Sequence, residues 1–396
     1  MIAFNRLLRC WFCVGGAVSY LLLTATALYG WGAKGHMMSG RAAARNLPKE
    51  TPLFFRAAVD RLAYLLPEPD RWRGEAWGGR NGPRQELTNL TAANHNIRME
   101  LLDGVRFPST RNEYIVLMTE KGVVPREDVN MHKVGLVFYA IVEEMQRLTV
   151  EFRLWREAQE AVTLDPVALQ QIQENAIFSA GVLGHWITDA GQPLHTTVHS
   201  DNWDTRFPNP HNYVTKDIHG RFESLYVDRA ITERDIESRM TPVRELRDWR
   251  AEAESHIRRS FSHFEEVYAL DRQGSFGSGR EPEEAHTFTA ARLAEGASML
   301  RDAWYSAWRA SWMELLDTPV RSTGRKGKSA FDLLSEAKII ETGNTAPDPQ
   351  LVGIGERRNG VDGRHWVLFS EGKSVTTPPT RYMTSDGERI EWRFTK

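Results

Sequence analysis

The chain has 396 residues, a formal net charge of −2 and 41% hydrophobic residues. A near-neutral balance removes any electrostatic case for a duplex-binding surface, and this length is ample for a hydrophobic core. Both cysteines, Cys10 and Cys13, fall in the first 30 residues, so a chain processed after them holds no disulfide and depends on its core.

The first element is an export signal over 1–30. Arg6 and Arg9 supply the positive start, no charge occurs from Cys10 to Tyr29, and Leu21, Leu22 and Leu23 form an apolar centre. The rival reading is an uncleaved membrane anchor, since about 20 uncharged residues just span a bilayer. Cleavage before Trp31 makes the protein secreted or periplasmic and exposes a Trp-Gly-Ala-Lys-Gly-His terminus; a cut after Ala27 fits the small-residue rule better and removes that terminus.

From 31 to 318 the chain reads as one mainly α domain. "GHMMSGRAAARNL" has an apolar period near 3.6. Long amphipathic helices are expected over 132–160 and 165–191, the second opened by Asp165 as cap and Pro166 in the first turn. Two further helices follow over 242–270 and 283–316, and 200–218 is a loop rich in Asn, Pro and Asp. Residues 319–329, including "RSTGRKGKS", read as a basic flexible linker. Residues 330–396 read as a small β-rich extension built on "HWVLFS" and "RIEWRF". The thirteen tryptophans, Trp72, Trp186 and Trp203 among them, are read as packing residues rather than base-stacking platforms.

Five of the twelve histidines lie between 185 and 219. His185 and Asp189 stand four apart on a predicted helix and share a face. Gln192-Pro193 then interrupts the helix, His195 follows, and His219 and Glu223 repeat the four-residue spacing. Imidazole and carboxylate pairs held by rigid elements are what a site for several metal ions requires. A lone pair of this kind is commonly a surface ion pair, whereas the combined pattern points to metal.

This segment resembles the signature of a zinc-dependent phosphodiesterase superfamily with two branches: single-strand nucleases of the S-one/P-one type and bacterial zinc-dependent phospholipases C. The resemblance covers about 31–318 and implies a helical domain with a cleft for three zinc ions. It implies that the main-chain nitrogen and oxygen of Trp31, with His36, hold one zinc together with Asp189. Asp189 would bridge to a second zinc on Asp70, His95 and His185, and a third would sit on His195, His219 and Glu223. It further implies hydrolysis of a phosphodiester by a metal-activated hydroxide, with Asp70 orienting the water and Arg73 clamping the phosphate through its two-pronged donors.

The substrate signals are mixed. "WGAKGH" and Arg73 resemble the nuclease branch, an endonuclease of single-stranded DNA or RNA, which is the first expectation. "HGRFESLYVD" resembles the phospholipase branch, which makes phospholipid head groups the alternative. Asn96 stands where the nucleases place a stacking aromatic and is a weaker candidate for substrate contact. A secreted zinc-binding protein without catalysis is the third reading, disfavoured because this ligand set is unlike a closed structural site. No protein partner is evident. His199 and His211 flank the 200–218 loop and are read as solvated, with contact to substrate phosphate as the alternative. His132, His256, His263, His286 and His365 lie outside any motif.

Overall fold

The computed structural model describes residues 31–396 except 74–84, 128, 278, 280–281 and 344–347. The signal segment 1–30, and with it the cleavage point, lies outside the described residues. Among the described residues no helix is long and apolar enough to cross a membrane.

The chain enters α1 (Ala33–Arg45), whose Gly40 and Ala42–Ala44 keep it slim enough to lie against α3 (Val59–Leu65), with the short α2 (Leu53–Arg56) between them. Pro69 sits in the first turn of α4 (Glu68–Trp72), where its missing N–H has no helical partner to lose. Then come α5 (Gln85–Thr91) and α6 (Arg111–Glu120), the latter opened by a reciprocal cap between Thr110 and Glu113. The framework is three long helices, α7 (Val137–Gln159), α8 (Pro166–Ala190) and α14 (Glu283–Asp317), packed on one another. Asp165 caps α8 as expected, accepting from the Val167 amide at 2.9 Å. Between these helices Phe55, Phe152, Trp304 and Trp308 meet edge to face at 5.1 to 5.6 Å, a geometry that matches ring edge to ring face.

Two expected helices are shorter than their periodicity implies. The 132–160 helix starts only at Val137, because Gly135 takes φ +98°, where a Cβ would lie 2.0 Å from the Asn96 carbonyl oxygen. That contact locks the strand-like stretch after His95 against the start of α7. The 242–270 helix is instead an extended lead followed by α12 (Trp249–Phe261) and α13 (Phe264–Arg272). Its lead is held open by acceptors one turn apart on α14, Ser298, Asp302 and Ser306, which take the amides of Thr241, Arg244 and Leu246. Tertiary hydrogen bonds here replace helical ones.

A second apolar cluster joins Trp31, Phe222, Tyr226, Phe276 and Phe288 under α9 (Ile218–Gly220), α10 (Val227–Ala230) and α11 (Glu233–Glu237). Between α9 and α10 the residues Arg221–Tyr226 form one π-helical turn.

The C-terminal part is β-rich as expected, but it begins earlier. Val320–Thr323 form β1, paired antiparallel with β7 (Arg389–Thr395), so the start of the expected linker is a sheet strand, and Ser329 at its end caps α15 (Ala330–Ala337). The strands β2 (Ile340–Gly343), β3 (Gln350–Ile354) and β4 (Arg357–Arg358) make one antiparallel sheet. β5 (His365–Ser370) and β6 (Lys373–Ser374) complete the other in the order β1-β7-β5-β6. This module is riveted to the helices by buried Arg357, which donates to both carboxylate oxygens of Glu160 at 2.6 and 2.8 Å and to the Leu315 and Thr318 carbonyls.

Candidate metal centre

The side chains expected to gather do gather. His36, Asp70, His95, His185, Asp189, His195 and Glu223 are buried and His219 is half-buried. They fall into three groups close enough to share ions: His36 with Asp70 and His185, His95 with His185 and Asp189, and His195 with His219 and Glu223.

Local structure explains the aim of each group. Gly181 and Gly184 let α8 press on α3, since a Cβ there would stand 2.3 Å from Leu65 Cβ and 2.8 Å from Leu66 Cγ. The last turns of α8 thereby carry His185 and Asp189 into the interior. Gln192 and Pro193 stop the helix, and His195 turns back beneath His95, its Nδ1 donating to the His95 carbonyl. The π turn after α9 sets Glu223 facing His219, with 2.8 Å between Oε2 and Nε2. Such turns are uncommon and recur at functional sites.

Ring tautomers can be read from the acceptors. Carbonyl oxygens only accept, so Nδ1 of His195 and of His219, the latter 2.7 Å from the Ser200 carbonyl, must carry their protons. In the neutral rings both Nε2 atoms are then bare lone pairs. They lie 3.0 Å apart and converge with the Glu223 carboxylate, 2.8 and 3.6 Å away. Such an arrangement of acceptors calls for a cation among them. His36 follows the same logic. The Thr188 hydroxyl donates to the Gly184 carbonyl at 2.7 Å and accepts from His36 Nδ1 at 2.8 Å, leaving Nε2 to face Asp189 at 3.4 Å and Asp70 at 3.9 Å. Fixing the far nitrogen in this way is how ligating imidazoles are oriented.

Asp189 is the hub. Its carboxylate oxygens lie 3.0 Å from His95, 3.1 Å from His185, 3.4 Å from His36 and 3.6 Å from His195. Burial pushes its pKa up, but His185 and His195 outweigh that and hold it well below the usual range. Asp70 shifts the other way: burial, then the neighbouring Asp189 charge, raise it well above an ordinary carboxyl. Both Asp70 oxygens, Asp189 Oδ1, Glu223 Oε1 and His36 Nε2 are buried without a hydrogen-bond partner. An orphaned buried acceptor costs roughly 1–3 kcal/mol or more when charged, so five in one pocket fit a site completed by divalent cations. All-nitrogen-and-oxygen donors of this kind suit zinc.

Trp31 is buried at the start of α1, its ring 5.2 Å from Phe222 and its carbonyl accepting from the His36 amide at 3.2 Å. Arg73 follows α4 and places a guanidinium nitrogen 4.0 Å from Asp70. Asn96 is buried on the wall of a hollow over the centre. Sequence reasoning missed Gln192, which donates to Glu223 at 2.8 Å, and His132, which stands at the mouth. Gln192 was legible only as a helix breaker, and His132 has no motif around it. The solvated reading of His199 is corrected. The ring is buried, stacked on Trp203 at 4.0 Å, and accepts the Asp204 amide, because the loop folds back on itself. Trp186 likewise packs between His95 and His185, consistent with the packing role.

No protein-family model matches the chain, and no curated protein matches it. Structural matches include alpha toxin from Clostridium absonum, at 9% identity and a TM-score of 0.39, covering 91% of this chain and 82% of that one. They also include the alpha-toxin of an avian strain of Clostridium perfringens, at 11% identity and a TM-score of 0.36 with the same coverage. Neither score is high enough to transfer a property, so the chemistry of the centre must be derived from its own side chains.

Proposed function

We propose that the protein is a zinc-dependent hydrolase of phosphodiesters. The observation that carries this is the convergence of three carboxylates and five imidazoles, with the bare nitrogens of His36, His195 and His219 turned inward, beside the Arg73 guanidinium. When bound there, closely spaced zinc ions supply a water nucleophile active at neutral pH and counter-charge for the phosphoryl oxygens.

The chain's own groups do the rest. His36, His95, His185, His195 and His219 would hold the ions with Asp70, Asp189 and Glu223. A free terminus at Trp31 would add its amine and carbonyl on the His36 side, provided cleavage falls before that residue. The raised pKa of a free amine relative to neutral pH is modest, so a metal displaces its proton readily. Arg73 would hold two non-bridging oxygens of the substrate, and Asp70, beside it, would orient the attacking water.

Of the two substrate classes, phospholipid is the reading better supported. Next to the centre, and joined to it at Arg73, lies a hollow of about 580 Å³ whose wall includes Leu90, Ile115, Val129, Met131 and Leu136. The aliphatic part of this wall, which it shares with Asn89, Asn130 and Arg111, suits an aliphatic group of a substrate. Single-stranded nucleic acid is the second reading, kept on Arg73 and the WGAKGH start. The test is one comparison on zinc-loaded protein with a chelator control: phosphatidylcholine against single-stranded DNA and RNA. Faster release of phosphocholine is expected. Faster cleavage of the nucleic acids would reassign the substrate, and inertness toward both with zinc bound would remove both substrate readings.

A further inference from the structure

Two hollows open beside the centre and meet at Arg73 and His132. The smaller, about 200 Å³, lies over His95, His195 and His219. The larger, about 580 Å³, leads away, and no metal-ligand side chain lines it. His132 is held at the junction by its Nδ1, 3.2 Å from the Ala92 carbonyl. Of the two cations on the larger wall, Arg73 marks the junction, and Arg111 is engaged by Glu143 at 2.7 and 2.9 Å and by Asn94 at 2.7 Å, which offsets its charge.

Scattered apolar residues on a surface need no explanation. These are not scattered. Leu90 and Val129 are 69% and 50% exposed, yet they share one concave wall with half-buried Ile115 and buried Met131 and Leu136. The wall is continuous with a polar centre and has nothing packed against it from the described chain.

We propose that this hollow holds an aliphatic substituent of the substrate, passed through the junction between Arg73 and His132 while the phosphate stays over the centre. Leu90, Ile115, Val129, Met131 and Leu136 are then the specificity-determining side chains. The proposal rests on the phosphodiesterase reading and names the part of the substrate that is recognised. Each methylene taken out of water there improves binding about fourfold, so three or more seated methylenes give well over tenfold.

The experiment uses zinc-loaded protein and two readouts. One is kcat/KM for octyl and methyl p-nitrophenyl phosphate; the other is calorimetric binding of octyl phosphate and methyl phosphate. The expected result is an octyl preference of at least tenfold in both, reduced to near unity by Leu90→Asp with Val129→Asp. Val129→Trp, which fills the hollow without adding charge, is expected to cut the preference as well and guards against a misfolded double variant. Equal treatment of octyl and methyl by the unmodified protein, or a preference that survives all these substitutions, overturns the proposal. Tenfold tighter binding of octyl phosphate with neither diester hydrolysed would uphold the hollow and overturn the hydrolase reading instead.

Discussion

Replacing Asp189 by Asn tests whether one carboxylate ties the whole centre together. Its oxygens lie within 3.6 Å of His36, His95, His185 and His195, side chains drawn from all three groups. An amide keeps the shape and removes the charge and one acceptor. Zinc at one hundred times its dissociation constant stabilises the fold by about 2.7 kcal/mol per site, and a hundredfold weaker site retains about 0.4 kcal/mol. The loss of about 2.3 kcal/mol corresponds to a fall of roughly 5 °C in the zinc-dependent part of Tm, at about 2 °C per kcal/mol for a large domain. The assay is calorimetry of both proteins with zinc and with chelator, alongside elemental analysis. The quantity compared is the shift zinc produces in each, so any effect of Asn on the metal-free fold cancels. Asp189→Asn should shrink that shift by several degrees and lower the zinc content by at least one ion per chain. An equal zinc shift in both proteins, or none in the unmodified one, would refute the hub.

A protein starting at Trp31 should bind one zinc more than one starting at Leu28, measured by elemental analysis; equal content removes the terminal amine from the ligand set. Gly181→Ala places a Cβ about where Leu65 Cβ already stands, 2.3 Å away, and should cost about 1–3 kcal/mol by denaturant unfolding while weakening zinc binding. Arg357→Met strands buried Glu160 and should cost about 3–5 kcal/mol, most of it recovered when Glu160→Leu is added. Burial raises Glu144 to about 7 despite Arg147 at 3.2 Å. A carboxyl raised in the fold weakens it as pH climbs from the unfolded value of 4.5 to the folded one, so the advantage of Glu144→Gln should grow by about 2 kcal/mol from pH 5 to pH 8. An advantage that is flat with pH would contradict that burial effect.

What the sequence made legible follows from period and spacing. α8 and α14 could be placed closely because long apolar repeats, an Asp-Pro start and nearby breakers all agree. The His185–Asp189 pair could be recognised because helical spacing fixes direction before any tertiary contact is known. Where tertiary contacts override local preference, reading failed. The lead into α12 is helical by composition yet extended, because Ser298, Asp302 and Ser306 on α14 claim its amides. The start of α7 retreats to Val137 because Gly135 must leave room for the Asn96 carbonyl, and β1 was hidden because its pairing partner lies some 70 residues downstream.

The same division explains the site. The proposed ligands are legible because a metal such as zinc would demand particular side chains in particular directions, and such demands show in sequence as His and carboxylate at fixed intervals. The hollow beyond Arg73 is not, because an aliphatic wall demands only volume and apolarity. Leu90 from α5, Ile115 from α6 and Val129 from the loop before α7 carry no common spacing. Their kinship exists only after folding. Metal chemistry can therefore be argued from residues alone, whereas what the metal acts on has to be argued from the surface that the fold assembles around it.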